Sequence, residues 1–95
     1  DQVLIRTGAS TICGSDLADI RANPFAIPLP VVLGHEAAGV VTAVGRDVRG
    51  LREGDRVAAH PVHPCGACPE CARGLGHLCP RLSHFGIDLQ GTFAD

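Results

Sequence analysis

The chain of 95 residues has no lysine, methionine, tryptophan or tyrosine, and three phenylalanines are its only aromatic residues. So few aromatics argue against a base-stacking surface for single-stranded nucleic acid. All eight basic residues are arginines, and the net charge of −2 argues against nucleic acid or an anionic membrane as a partner. No apolar run approaches the ~20 residues that a membrane-spanning helix needs. The sequence therefore predicts neither a nucleic-acid partner nor a membrane partner.

Glycine and proline are abundant, with 12 and 7 residues. This density of turn-forming residues favours a mainly β structure over long helices, and the length allows one domain. Ser15 or Asp16 is expected to cap a short helix, since their side-chain oxygens accept hydrogen bonds from first-turn amides. The expected elements are strands over residues 3–7, 39–45 and 56–59, and a helix over Leu17–Ile20.

Both ends of the chain have the pattern of a strand. Residues 1–7 are apolar and β-branched without a preceding turn, and residues 91–95 resemble the start of another strand. We therefore expect an internal piece of a longer protein; the alternative is a complete small domain with frayed ends. No Gly-x-Gly-x-x-Gly motif occurs in the chain, so no dinucleotide-binding fold is expected within it.

Four of the five cysteines lie in a segment without hydrophobic periodicity, residues 60–81, for which no secondary structure is predicted. A C-x2-C-x2-C-x7-C spacing allows four thiolates to surround one ion, and such a closed shell is typical of structural zinc sites. Bound zinc would order a segment of this kind and indicates a reducing, cytoplasmic compartment. The four predicted ligands are Cys65, Cys68, Cys71 and Cys79.

Two other interpretations of the cysteine cluster stay open. Disulfides are one, although bridges across two-residue gaps are strained and an odd count leaves one thiol over. An iron–sulfur cluster is the other, because Cys79-Pro80 matches the end of C-x2-C-x2-C-x3-C-P, but the last gap here has seven residues. Since four thiolates complete a shell, the nearby histidines are interpreted as polar loop residues: His60, His63, His77 and His84.

The fifth cysteine, Cys13, and the histidine His35 each lie beside a glycine and within three residues of a carboxylate. One thiolate and one imidazole are most of the protein shell of catalytic zinc in alcohol dehydrogenase. Asp16 would accept the second ring N–H of His35, and Ser15 would take a proton from a bound alcohol. This site needs a tertiary contact between Cys13 and His35, which spacing alone does not establish. Taken singly, each residue is more typical of ordinary packing.

Five blocks of the sequence resemble motifs of the N-terminal GroES-like catalytic domain of zinc-dependent medium-chain alcohol dehydrogenases, and they occur in the same order as in that family. They are Ile12-Cys13-Gly14-Ser15-Asp16, Gly34-His35-Glu36-Ala37-Ala38-Gly39, Gly54-Asp55-Arg56-Val57, the four-cysteine spacing, and Gly91-Thr92-Phe93-Ala94. The resemblance covers nearly all 95 residues. It implies a mainly β fold, a partly open barrel with short helices and an inserted zinc lobe over residues 60–82. The CGSD block is most similar to the polyol and threonine dehydrogenase branch.

The resemblance also implies a role for each site residue. The lobe cysteines would bind a structural zinc. Ala18 stands where some family members carry a histidine that continues the proton relay, and the third protein ligand of the catalytic zinc is expected beyond Asp95. In the catalytic site, Cys13 and His35 would bind zinc, Ser15 would hydrogen-bond the substrate oxygen, Asp16 would orient His35, and Glu36 would lie behind the metal as a transient ligand.

The longer protein implied by the resemblance is an NAD(P)-dependent oxidoreductase. It would oxidise a small alcohol to an aldehyde or ketone by hydride transfer to NAD(P), with zinc polarising the substrate oxygen. Its Rossmann domain would lie outside these 95 residues, so the piece alone is expected to be inactive. A homo-oligomer is expected for the longer protein. The alternative function is a non-enzymatic GroES-like zinc module kept for folding or partner binding.

Overall fold

The computed structural model describes residues 1–94, and most of its regular elements are short. In chain order they are β1 (Val3–Thr11), α1 (Gly14–Ala22), β2 (Glu36–Val44), β3 (Arg56–Ala58), β4 (Val62–His63), α2 (Pro69–Ala72), a 3₁₀ helix (Gly76–Leu78) and β5 (Ser83–His84). The main sheet is antiparallel with the order β1-β2-β3. A separate antiparallel ribbon consists of β4 and β5.

The pairing of β1 with β2 decides where the chemistry-bearing residues lie. Both strands are rich in β-branched and small residues, which suit a pleated surface. They run antiparallel from Val3 opposite Val44 to Thr11 opposite Glu36, with two register shifts on the way. The end of β1 is therefore next to the start of β2. The residues that follow Thr11 and those that precede Glu36 meet at one edge of the sheet.

The apolar core around the sheet is small. Val41, in the middle of β2, is 1% exposed and Ile27 is 4% exposed, whereas Leu29 is 77% exposed. A turn through Gly54, with φ of +90°, returns the chain to the sheet, and the Val41 N–H donates to the Asp55 carbonyl at 2.9 Å. Backbone hydrogen bonds between the strands therefore contribute much of the stabilisation of the main sheet.

The strands confirm the mainly β fold class and correct the predicted bounds. β1 continues past the predicted 3–7 to Thr11, because its pairing with β2 holds it extended. β2 begins at Glu36 rather than at residue 39, and β3 ends at Ala58 rather than at residue 59. Within residues 1–94 the strands form an open sheet and a ribbon, with no closed barrel.

Helix α1 is longer than the predicted Leu17–Ile20 and has a different cap. Its N-cap is Cys13, and the Asp16 carboxylate accepts the Cys13 N–H at 2.8 Å. Asp16 thus lies in the first turn, where a negative charge is favoured at a helix N-terminus, and Ser15 also lies inside that turn. Among residues 1–94, no helix combines the length and the apolar character needed to cross a bilayer.

Residues 91–93 form a strap across the segment that leads into His35. The predicted strand over residues 91–95 is wrong for residues 91–94, which are irregular; Asp95 lies outside the described residues. The main chain of the strap is hydrogen-bonded to the main chain of the segment before His35, so the position of that segment does not depend on side-chain packing alone. Three backbone hydrogen bonds join the two, from Gly91 to Val32 (2.7 Å), from Thr92 to Gly34 (3.0 Å) and from Phe93 to Leu33 (3.1 Å).

We expect Gly91→Ala to destabilise the protein by about 3 kcal/mol, which corresponds to roughly 10 °C in Tm. A Cβ at Gly91 would overlap the backbone carbonyls of Leu33 and Gly34, so the main chain would have to move. Gly14→Ala is the matched control, because a Cβ there has no heavy atom within 4 Å. Thermal unfolding of both full-length variants measures the effect. Equal Tm values would contradict the tight approach of the strap.

Candidate metal centres

The β4–β5 ribbon lies at the base of the four-cysteine lobe, residues 60–82, and connects it to the rest of the domain. Val62 pairs with His84, so the chain enters and leaves the lobe side by side. The lobe holds β4, α2 and the 3₁₀ helix, which corrects the prediction of no secondary structure over residues 60–81. Gly66 and Gly74 have φ of +72° and +75°, conformations that glycine adopts without strain and that let the chain turn tightly.

The four lobe sulfurs converge on one small volume. The sulfur atoms of Cys65, Cys68, Cys71 and Cys79 all lie within 4.8 Å of one another. Cys68 Sγ is 3.4 Å from Cys71 Sγ and 3.8 Å from Cys79 Sγ, and none of the five cysteines forms a disulfide. A tetrahedron with Zn–S bonds of ~2.3 Å has sulfur–sulfur edges of ~3.8 Å. The cluster therefore fits a tetrahedral zinc ion with little movement.

The thiols of the lobe have unequal acidity. The backbone N–H of Ala67, followed by the Cys79 thiol, lowers the pKa of Cys65 to about 6 against the opposing effect of burial. The pKa of Cys68 is raised to about 12: the Cys71 N–H favours its thiolate, but burial and hydrogen bonds to neighbouring sulfurs outweigh that effect. Cys65 is thus the more acidic of these two thiols. A cation bound there would displace the Cys68 proton.

The second candidate centre lies at the edge where β1 ends and β2 begins. Ile12 separates Cys13 from the end of β1, and His35 immediately precedes β2. A sulfur of Cys13, a ring nitrogen of His35 and a carboxylate oxygen of Glu36 lie within 4.8 Å of one another. The strand pairing therefore brings together the two predicted catalytic ligands and the carboxylate expected behind them.

Asp16 ties this second cluster together from inside helix α1. It is 2% exposed, and its Oδ1 lies 3.4 Å from His35 Nδ1. The same carboxylate accepts the N–H of Gly34 at 3.3 Å and that of Cys13 at 2.8 Å. The Cys13 and His35 halves of the cluster thus share one buried carboxyl group. His35 Nδ1 faces Asp16, so the other ring nitrogen, Nε2, is available to a metal ion.

Ser15 lies beside the free ring nitrogen. Its Oγ is 3.4 Å from His35 Nε2. Hydrogen bonds with the Ser15 side chain and backbone, followed by one with His35, lower the pKa of the Cys13 thiol; burial and the Glu36 carboxylate oppose that shift. A thiolate and a neutral imidazole with a carboxylate behind it are a donor set that zinc prefers.

Two side chains near this cluster were not assigned to it from the sequence. Thr11 Oγ1 donates a hydrogen bond to Glu36 Oε2. The ring of His84, which was interpreted as a polar loop residue, lies 5.3 Å from the ring of His35 in an edge-to-face arrangement. Its Nδ1 is 2.7 Å from the Phe85 carbonyl oxygen. The pairing of β4 with β5 and a turn in which the His84 N–H donates to Asp88 position His84, and no local sequence pattern signals its contact with His35.

A family model described as the alcohol dehydrogenase GroES-like domain matches residues 1–95. The chain belongs to this family. The resemblance of the sequence blocks to zinc-dependent medium-chain dehydrogenases is therefore confirmed, together with the fold class.

Curated relatives of this GroES-like domain include dehydrogenases of different substrates. L-threonine 3-dehydrogenase of Deinococcus deserti is 40% identical over 98 residues, which cover 100% of this chain and 28% of that protein. D-altritol 5-dehydrogenase of Agrobacterium fabrum is 41% identical over 92 residues, covering 97% of this chain and 27% of that protein. The chain thus spans less than a third of the length of these relatives.

Solved structures of the family have the same architecture. Galactitol-1-phosphate dehydrogenase of Escherichia coli superposes with a TM-score of 0.87 at 41% identity, covering 97% of this chain and 26% of that chain. A zinc-binding dehydrogenase of Sinorhizobium meliloti, solved bound to NADP, has a TM-score of 0.80 at 37% identity and covers 96% and 26% of the two chains. The GroES-like domain described here is thus similar to one part of larger dehydrogenases.

Proposed function

We propose that these 95 residues are part of the catalytic domain of a zinc-dependent, NAD(P)-dependent dehydrogenase that oxidises a small alcohol to an aldehyde or ketone. The observation that carries the proposal is the cluster of Cys13 and His35, with Ser15 and the buried Asp16 beside it. A zinc module kept only for folding needs the four-cysteine lobe but not this second cluster. The lengths of the relatives support a separate Rossmann domain elsewhere in the protein.

The residues of the second cluster would have separate roles in binding the metal and in orienting its ligands. When bound, zinc supplies Lewis acidity that makes an alcohol oxygen more acidic, and NAD(P) accepts the hydride. Cys13 Sγ and His35 Nε2 would hold the metal, together with a ligand from outside these 95 residues. Asp16 holds the His35 ring through Nδ1, which leaves Nε2 on the side of the ring that faces the site.

Ser15 is the proposed first proton acceptor. Its Oγ lies near His35 Nε2 and is therefore within reach of an oxygen bound in the same place. Ala18, in the same helix, has no group that can carry the proton further. Water or the cofactor ribose would therefore take it onward. Glu36, next to both ligands, would lie behind the metal and approach it only transiently.

The lobe cysteines would bind the second zinc in a purely structural role. Four protein sulfurs leave no open position for substrate. Of the residues in the lobe, Cys68 and Cys79 are the buried apolar ones, so the metal would take the place of a hydrophobic core. Five cysteines without a disulfide suit a reducing, cytoplasmic compartment, which we propose as the location.

The substrate proposed is a small molecule with several polar groups, an amino alcohol or a polyol. The relatives named for threonine, altritol and galactitol 1-phosphate support this class, and so does the CGSD block. We propose a homo-oligomer for the full-length protein, without nucleic acid or membrane as partners.

The test is NAD(P)H formation at 340 nm by the full-length protein, with L-threonine, altritol, galactitol and simple alcohols as substrates. We expect turnover with at least one of them, lost on chelation and restored by zinc, and none from the 95-residue chain alone. No turnover and no nicotinamide binding by the zinc-loaded full-length protein would favour the non-enzymatic module. Turnover by the 95-residue chain would contradict the need for a second domain.

A further inference from the structure

Arg81 contacts two of the four lobe sulfurs at once. Its guanidinium Nη2 donates to Cys65 Sγ at 3.3 Å, and its backbone N–H donates to Cys79 Sγ at 3.4 Å. Cys65 and Cys79 are the first and last cysteines of the lobe, 14 residues apart. The Cys65 N–H also donates to Cys79 Sγ, at 3.4 Å. One residue thus joins the two ends of the lobe at the sulfurs themselves.

The charge of the lobe gives this contact its significance. Four thiolates and one zinc ion carry a net charge of −2, which is costly to hold in a small, partly buried cluster. Among the hydrogen bonds of residues 1–94, Arg81 is the one cationic side chain that donates to a lobe sulfur. A guanidinium keeps its charge at every ordinary pH, and its hydrogen bonds to anions are stronger than those of a neutral donor.

Arg73 provides an internal comparison. It lies in the same lobe and is exposed, and its backbone N–H donates to the carbonyls of Pro69 and Glu70 at the end of α2. Its guanidinium takes part in none of the hydrogen bonds or ion pairs described for residues 1–94. Two exposed arginines of one lobe thus differ in whether the guanidinium contacts a sulfur.

We propose that Arg81 is a positioning residue of the structural zinc site, whose guanidinium neutralises part of the thiolate charge and slows the departure of the metal. The proposal rests on the structural zinc proposed above. Because partners of metal ligands typically contribute 10–100-fold to metal affinity, removing the charge should accelerate zinc loss by about tenfold or more.

The experiment measures zinc transfer to a chromogenic chelator from the full-length protein in a Cys13→Ser background, which confines zinc to the lobe. We expect about one zinc per chain. Arg81→Gln, which keeps a donor but not the charge, should release zinc about tenfold faster, and Arg81→Lys should restore slow release. Arg73→Gln should match the parent. The Arg81→Gln difference should shrink as salt is raised, since salt screens exposed charges.

The outcomes separate the two proposals. No zinc in the Cys13→Ser background would overturn the structural zinc and Arg81 with it. One zinc per chain but release from Arg81→Gln within about twofold of the parent would overturn Arg81 alone. Equal acceleration in Arg73→Gln, or in Arg81→Lys, would also overturn it, because the effect would then not follow the charge at the sulfurs. If Arg81→Gln does not fold, the salt dependence of the parent decides: zinc release that does not accelerate as salt is raised would overturn the role of the Arg81 charge.

Discussion

Replacing Cys13 with serine in the full-length protein is expected to lower kcat/KM by about a thousandfold. Lewis-acid stabilisation of the developing charge is worth several kcal/mol, and each 1.36 kcal/mol is a factor of ten in rate. A serine hydroxyl is a poor ligand beside His35, and the buried Asp16 would then orient a histidine with no metal to bind. Zinc content should fall from about two ions per chain to about one.

Two measurements check this expectation, steady-state turnover and metal content by elemental mass spectrometry. Ile12→Val is the control, because Ile12 is the neighbour of Cys13 and its side chain is 71% exposed. Turnover and zinc content of the control should match the parent. A Cys13→Ser protein that keeps its turnover would contradict the catalytic assignment, and one that keeps two zinc ions would contradict the ligand assignment.

Replacing Cys68 with serine is expected to unfold the four-cysteine lobe and to remove its zinc. Structural zinc contributes an apparent ~10–16 kcal/mol in zinc-finger peptides at neutral pH, far more than a segment with so few buried apolar residues could supply otherwise. Cys68 is 6% exposed and its sulfur lies 3.4 Å from that of Cys71 and 3.8 Å from that of Cys79, so its loss removes a buried ligand in contact with two others.

Limited trypsin digestion of the full-length protein reads out the state of the lobe, because Arg73 and Arg81 both lie in it. The Cys68→Ser variant should be cleaved rapidly at these residues and should contain about one zinc ion less per chain. His77→Asn is the control, since His77 is exposed and outside both clusters. A Cys68→Ser variant as resistant as the control would show that the lobe does not depend on metal for its fold.

The four-cysteine cluster was predictable from the sequence because its geometry is mostly local. Three of its cysteines lie within seven residues, and the glycines and prolines among them favour the turns that point the sulfurs inward. The prediction of no secondary structure around the cysteines was wrong, because β4, α2 and a 3₁₀ helix lie there. The contact of Arg81 with the sulfurs was not predicted, because the cysteine spacing does not indicate that the Arg81 side chain reaches Cys65, 16 residues earlier in the chain.

The second cluster depended on tertiary structure. Cys13 and His35 are separated by a helix and an irregular segment, and only the register of β1 on β2 brings Thr11 opposite Glu36. The cap of α1 was assigned to Ser15 or Asp16, but the Asp16 carboxylate instead faces back to Cys13 and across to His35. The contact with Cys13 is local to the start of the helix, whereas the contact with His35 is long-range and is not encoded by helix propensity.

By itself the sequence determined the family and the candidate ligands, because the cysteine spacing, the CGSD and GHE blocks and the turn-rich composition all depend on short-range order and on residue type. Tertiary structure decided which side chains meet. Strand pairing joined Cys13 to His35, and the β4–β5 ribbon set His84 against His35. The physical reason is that ligand spacing within a loop is constrained by the chain itself, whereas contacts between distant segments arise only from the register and packing of the folded sheet.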